Sequence, residues 1–121
     1  MPRTAKLDSA TDLADSLRRF KADVFQVLAH PTRIHIIECL RDKEMTVSAL
    51  LEQIGVEPAN ASQHLAILRS KNLVVNRKEG NQVYYSLRDP LLTEVLDIMK
   101  KYFLRSLCSC LLSKYVIILL L

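Results

Sequence analysis

The sequence predicts a mainly α-helical domain that carries a small β-hairpin before its last helix, in the order α-α-α-α-β-β-α. Three observations predict it. Apolar residues recur at helical spacing in four consecutive stretches before Asn72. Two runs of strand composition, Leu73-Val74-Val75 and Val83-Tyr84-Tyr85-Ser86-Leu87, flank a polar segment containing Gly80-Asn81, a hairpin signal. A further helical pattern opens at Asp89-Pro90 and runs into the apolar end LLSKYVIILLL.

The first helix begins at Ser9, with Asp12 three residues later in a capping-box-like start. Leu13, Leu17, Phe20, Val24 and Val27 form its apolar row, Asp15, Arg18 and Arg19 lie opposite, and it ends before His30-Pro31. Pro31 suits the first turn of a second helix, whose Ile34, Ile36, Ile37 and Leu40 define a buried arc, with His35 and Cys39 four apart on the other side. After the polar connector Arg41-Asp42-Lys43-Glu44, Met45-Thr46 reads as a short extended piece. Thr46 then caps a third helix, Val47 to Ile54, with Val47, Leu50, Leu51 and Ile54 inward and Gly55 as its stop.

Only Val56 and Glu57 separate that helix from a fourth, which makes a helix-turn-helix. Pro58 fits the first helical position and Asn72 suits the C-terminal end. At about 100° per residue, Ala61, Leu65 and Leu68 fall on one side, and Ala59, Asn60, Gln63 and Ser70 on the other. The outer face is short, uncharged and rich in hydrogen-bonding groups. Asn and Gln suit bidentate bonds to adenine in the DNA major groove, and small neighbours let the backbone approach. Taken with the basic hairpin, the pattern is that of a winged helix-turn-helix DNA-binding domain. Asn60, Ser62 and Gln63 are the candidates for base edges; Arg69, Lys71, Arg77 and Lys78, the last two near the hairpin tip, are the candidates for phosphates. His64 sits at the edge of the packed face, between a structural role and a base contact.

Composition sets the outer limits. A chain of 121 residues, half of them apolar, with two Gly and four Pro, is one globular domain. The polar and charged opening, Met1 to Lys21, has no signal-peptide character, which gives a cytoplasmic expectation. The net charge of +4 is misleading as a nucleic-acid signature: residues 1–99 carry 13 cations and 13 acids, and the excess is Lys100, Lys101, Arg105 and Lys114. Residues 1–8 read as a flexible arm, 9–105 as the DNA-binding and dimerisation domain, and 106–121 as an apolar, cysteine-containing tail. No glycine-rich phosphate loop, paired carboxylates or activated nucleophile supports an enzyme or a nucleotide cofactor. The alternative to a DNA-binding regulator is a winged helix used only for protein interaction.

Three runs, VFQVLAHPTRIHIIECL, SQHLAILRSKNLV and GNQVYYSL, occur in the order and spacing of the ArsR/SmtB winged-helix repressors, and the chain resembles that family from about Asp23 to Leu87. The resemblance implies a homodimer joined through its first and last helices, bound to a roughly palindromic DNA operator and released by an inducer. Glu57 stands where many members have a small polar cap, and Ala59-Asn60 where they have a Ser-Thr pair. The third-helix cysteine motif of arsenite-sensing members is absent, since Glu44 to Leu50 holds no Cys. The paired ligands of zinc-sensing members are absent too, with no His between Asp89 and Tyr115.

What remains for sensing is Cys39, Cys108 and Cys110. Thiolates favour arsenite and other soft ions. Three readings stay open: small hydrophobes in an apolar surface, a soft-metal or arsenite site formed if the last helix lies against the second, and a thiol switch. Cys108 and Cys110, two apart, face different ways on an intact helix, and a protonated His35 would lower the pKa of Cys39. The tail is nearly long enough to span a bilayer, but Arg105 and Lys114 interrupt it, so burial in a dimer interface is preferred over a membrane.

Overall fold

The computed structural model describes residues 10–120; the predicted arm, 1–8, and the capping residue Ser9 lie outside them. The order of elements is α1 (Ala10–Leu28), α2 (Pro31–Cys39), β1 (Met45–Thr46), α3 (Val47–Ile54), α4 (Pro58–Ser70), β2 (Val74–Glu79), β3 (Gln82–Leu87) and α5 (Leu91–Leu120). This is a winged helix-turn-helix, and its three strands pair antiparallel in the order β1-β3-β2.

The core is built where helical periodicity placed it. Ile36 and Ile37 of α2 with its cap residue Leu40, Leu50 of α3, and Leu65 and Leu68 of α4 are buried together with Val27, Leu28, Met45 and Val74. Burying each such Leu or Ile side chain contributes about 1.5–3 kcal/mol, so α4 is held by its inner side alone and its outer side is left to other use.

Local chemistry fixes the boundaries of the helix-turn-helix. Thr46 Oγ1 accepts from Ala49 N at 3.2 Å and caps α3. Gly55 closes it in the left-handed region, φ 71°, donating its N–H to Leu51 O. Glu57 precedes α4 without a side-chain capping bond, and Pro58 sets the first turn. Asn72, at φ 60°, turns the chain out of α4 and into the wing.

One expectation needs correction. The strands are longer than their apolar runs: β2 reaches Glu79 and β3 starts at Gln82, so the turn is only Gly80-Asn81, with Gly80 at φ 60°. Arg77 therefore sits inside the ladder opposite Tyr84, and Lys78 opposite Val83. β2 is an outer strand whose residues after Val74 are all exposed; such an edge tolerates charge, and its polar composition reads as loop.

The apolar row of α1 divides along its length. Val24, Val27 and Leu28 pack on the core, but Leu13, Leu17 and Phe20 stay 62, 49 and 64% exposed. The last helix behaves likewise: Leu92 and Leu96 pack inward and Thr93 is buried, while Ile98, Tyr102 and Phe103 face solvent. α5 runs unbroken for 30 residues and is long and apolar enough, by length and composition, to cross a membrane. Its proximal half is tied to the turn after α2 by Arg41, which donates to Asp97 Oδ2 at 3.0 Å and Oδ1 at 2.5 Å. That bond is the main reason the Asp97 carboxyl lies below its usual range.

Candidate nucleic-acid interface

α4 presents Ala59, Asn60, Ser62, Gln63, Ala66 and Arg69 to solvent and buries Ala61, Leu65 and Leu68. The outer row is short and uncharged up to Arg69, and Lys71, the cap residue, is exposed just beyond it. A helix with that profile can approach a groove floor closely while cations at its end meet backbone phosphates. Ser70 is exposed as well, its hydroxyl donating to Ile67 O of the same helix at 2.8 Å.

His64 differs from its neighbours. It is half-buried, and its Nδ1 accepts from Arg33 Nε at 3.2 Å. Its ring lies 4.3 Å, centroid to centroid, from that of His30. Burial first, then His30 and Arg33, push its pKa below the ordinary histidine value.

The wing's two cations are in unlike states. Arg77 donates from Nε to Glu44 Oε2 at 2.8 Å and from a terminal nitrogen to Glu79 Oε2 at 2.5 Å, with a further short contact to Glu44 Oε1. Its guanidinium carbon stands 4.5 Å from the centre of the Tyr84 ring. The guanidinium thus crosses β3 and fastens the segment before β1 to the wing. Its bonds to Glu44, then Glu79, raise its own pKa, and the bond from Arg77 holds the Glu44 carboxyl low. Lys78 is exposed, and no ion pair engages it among the described residues. Sequence patterning had no means of showing either the Arg33–His64 pair or the Glu44–Arg77 pair, which span 31 and 33 residues of chain.

The three thiols do not come together within one protomer. Cys39 packs partly buried against the core, whereas Cys108 and Cys110 are exposed on α5. Arg41, in the turn after α2, holds α5 at Asp97, and at about 1.5 Å per residue Cys108 lies about 16 Å further along the axis. Among the described residues no group of three His, Cys, Asp or Glu side chains is arranged to hold a metal. Burial, and then Glu38, raise the Cys39 pKa above the ordinary thiol value, against a smaller opposing effect of Lys43.

The family described as a helix-turn-helix domain matches residues 28–77. The uncharacterized HTH-type transcriptional regulator Rv0081 of Mycobacterium tuberculosis is 38% identical over 95 residues, 78% of this chain and 83% of the relative. Its crystal structure superposes with a TM-score of 0.70 over 77% of this chain and 94% of that one. The transcriptional repressor SmtB homolog of Synechocystis is 35% identical over 88 residues, covering 73% of this chain and 61% of that relative. A Mycobacterium bovis protein, solved in solution as a homodimeric winged helix-turn-helix DNA-binding domain and described as a possible ArsR-family regulator, matches with a TM-score of 0.67 at 27% identity, over 77% and 89% of the two chains. These matches are to transcriptional regulators, and the chain belongs to the ArsR/SmtB family of winged helix-turn-helix DNA-binding transcriptional repressors.

Proposed function

We propose that the protein acts as a homodimer that reads a roughly palindromic operator with two copies of α4 and leaves it when a thiol-directed inducer acts on α5. The observation that carries the reading is the outer row of α4, Asn60, Ser62 and Gln63, exposed and uncharged beside the wing. We assign these three to base edges and Arg69, Lys71 and Lys78 to phosphates. Arg77, held by Glu44 and Glu79, braces the wing, and His64 positions the helix.

Dimerisation through α1 and α5 accounts for their apolar rows. Leu13, Leu17 and Phe20 of one, and Ile98, Tyr102 and Phe103 of the other, are too many exposed large side chains for a monomer's surface. A two-fold arrangement sets two reading helices about 34–36 Å apart, one turn of duplex. Residues 9–105 are then the reading and dimerising unit, with 106–121 as its apolar tail. Sedimentation of the full chain and of one lacking 116–121 tests the tail: a weaker dimer is expected, and an unchanged dimer with binding to lipid vesicles would favour a membrane partner.

For the inducer, Cys108 and Cys110 are the exposed thiols on the helix that dimerisation would pair. A soft ion such as arsenite, bridging thiolates of two α5 helices, or an oxidant or reactive-sulfur species acting on them, would alter the face that sets the half-site spacing. Replacing Cys108 and Cys110 by Ser leaves operator affinity intact and abolishes release by arsenite or persulfide. Unchanged release would refute thiol sensing and leave the DNA-reading assignment untouched.

A further inference from the structure

We infer that Arg33 is a positioning residue for DNA reading: through His64 it locks the recognition helix to the end of α1, and loss of that lock disturbs the placement of both reading helices in the dimer. The inference rests on the DNA-reading function proposed for α4.

The geometry is a chain of contacts joining three helices at one corner. From α2, Arg33 donates a terminal N–H to Val27 O at 2.9 Å and its Nε–H to His64 Nδ1 at 3.2 Å. Val27 lies in the last turn of α1, where backbone carbonyls have no partner within the helix. The corner itself is closed by His30, whose Nδ1 accepts from Thr32 N at 3.2 Å and caps α2. The His30 ring then packs on His64. A single guanidinium therefore relates α1, which carries the exposed apolar row, to α4, which carries the outward Asn60 and Gln63. His64 follows Gln63 directly and lies one helical turn after Asn60.

This matters more in a two-fold dimer than in a monomer. α1 belongs to the proposed dimer face, so an angular error between α1 and α4 enters both half-sites and changes the distance between the two reading helices. Core packing through Leu65 and Leu68 holds α4 against α2 but acts through non-directional contacts. The Arg33 bonds are directional and are made at the surface end of the same helix face.

The lock also has a protonation requirement. His64 Nδ1 accepts only when the imidazole is neutral with its proton on Nε2. Protonation would aim an N–H at the guanidinium. The groups acting on His64 are His30 from the corner and Arg33 from α2; Asp23 of α1 and Lys71 beyond α4 line the neighbouring depression with Arg33. Because the folded-state pKa is depressed, the neutral form is favoured in the fold, and the associated stability is complete above the unfolded value of about 6.5 and declines as pH falls below it.

The test uses the full chain and a fluorescein-labelled duplex that the full chain itself has enriched from a random-sequence library. Anisotropy is followed from pH 5.5 to 8 and across a salt series for wild type, Arg33→Gln, Arg33→Lys and His64→Gln, with thermal unfolding confirming that each variant is folded. Expected are an approximately tenfold or greater loss of affinity for Arg33→Gln at pH 7.5 with the salt slope unchanged, partial retention by Arg33→Lys, and for His64→Gln, whose amide oxygen still accepts from Arg33 but does not titrate, an affinity that falls less steeply than wild type's toward acid pH. A salt slope shallower by about one per protomer in Arg33→Gln would make Arg33 a phosphate contact and overturn the inference. So would an acid profile of His64→Gln identical to wild type. Failure of the wild-type chain to enrich any duplex would instead refute the DNA-reading function itself.

Discussion

Truncating Gln63 to Ala separates reading from folding. Gln63 is exposed on α4, and no side-chain hydrogen bond within the fold engages it among the described residues. Removing its amide leaves the fold within about 0.5 kcal/mol of wild type. On DNA the expectation is different. A side chain that makes a good bidentate contact to a base contributes about 1–3 kcal/mol of discrimination, and a symmetric dimer makes that contact twice. The loss on the cognate operator is thus about 2–6 kcal/mol per dimer, or about 30-fold to about 20,000-fold in affinity. On random duplex, where phosphate contacts dominate, the change is small. Fluorescence anisotropy on both duplexes at one salt concentration, with chemical denaturation alongside, measures all three quantities. Equal losses on operator and random DNA would show that Gln63 carries no sequence information. Unchanged affinity on both would remove the outer face of α4 from the reading surface altogether.

Two further outcomes follow from the packing and the ion pairs. Leu68 is fully buried between α4 and the core, so Leu68→Ala leaves a cavity beneath α4 and lowers the free energy of unfolding by about 2–5 kcal/mol in urea. The Glu44 carboxyl is held below its usual range by its hydrogen bond from Arg77; a depressed acid stabilises the fold above its unfolded value of about 4.3 and loses that contribution as pH falls through the folded value. The stability difference between wild type and Glu44→Gln is therefore present at pH 6 and shrinks below about pH 4.

The helix-turn-helix was legible because its boundaries are set by local chemistry: Thr46 caps, Gly55 takes a left-handed conformation, and Pro58 starts a helix with no N–H to satisfy. The faces of α4 were equally legible, since three inward residues at helical spacing fix everything else on a short helix. What escaped was whatever depends on a distant partner. Periodicity shows that Leu13, Leu17 and Phe20 share a side of α1 but not what that side meets, and among the described residues none covers it. β2 looked like a loop beyond Val75 because an edge strand is held by backbone bonds to β3, to which Arg77 and Lys78 contribute no apolar signal. The spacing of Cys39 from Cys108 was compatible with a shared site only if α5 folded back along α2. A helix that continues straight past Asp97 carries the two later thiols away.

The state of the wing's cations makes the electrostatic strength of the interface calculable. Of the four cations that the sequence offered for phosphates, Arg77 already faces two carboxylates, so releasing it to a phosphate would leave Glu44 and Glu79 unpaired beside a polyanion. Arg69, Lys71 and Lys78 carry no such debt, and with one phosphate each they give six contacts in a dimer. At about 0.9 counterion per contact, the logarithm of the binding constant should fall with the logarithm of salt concentration at a slope of about −5. Recruitment of Arg77 as well would steepen the slope to about −7 and require the Glu44 latch to open, which Arg77→Gln would expose as a return to about −5. A measured wild-type slope near −7 would therefore refute the bracing role of Arg77, whereas a slope near −5 that Arg77→Gln leaves unchanged is what a wing braced from within requires.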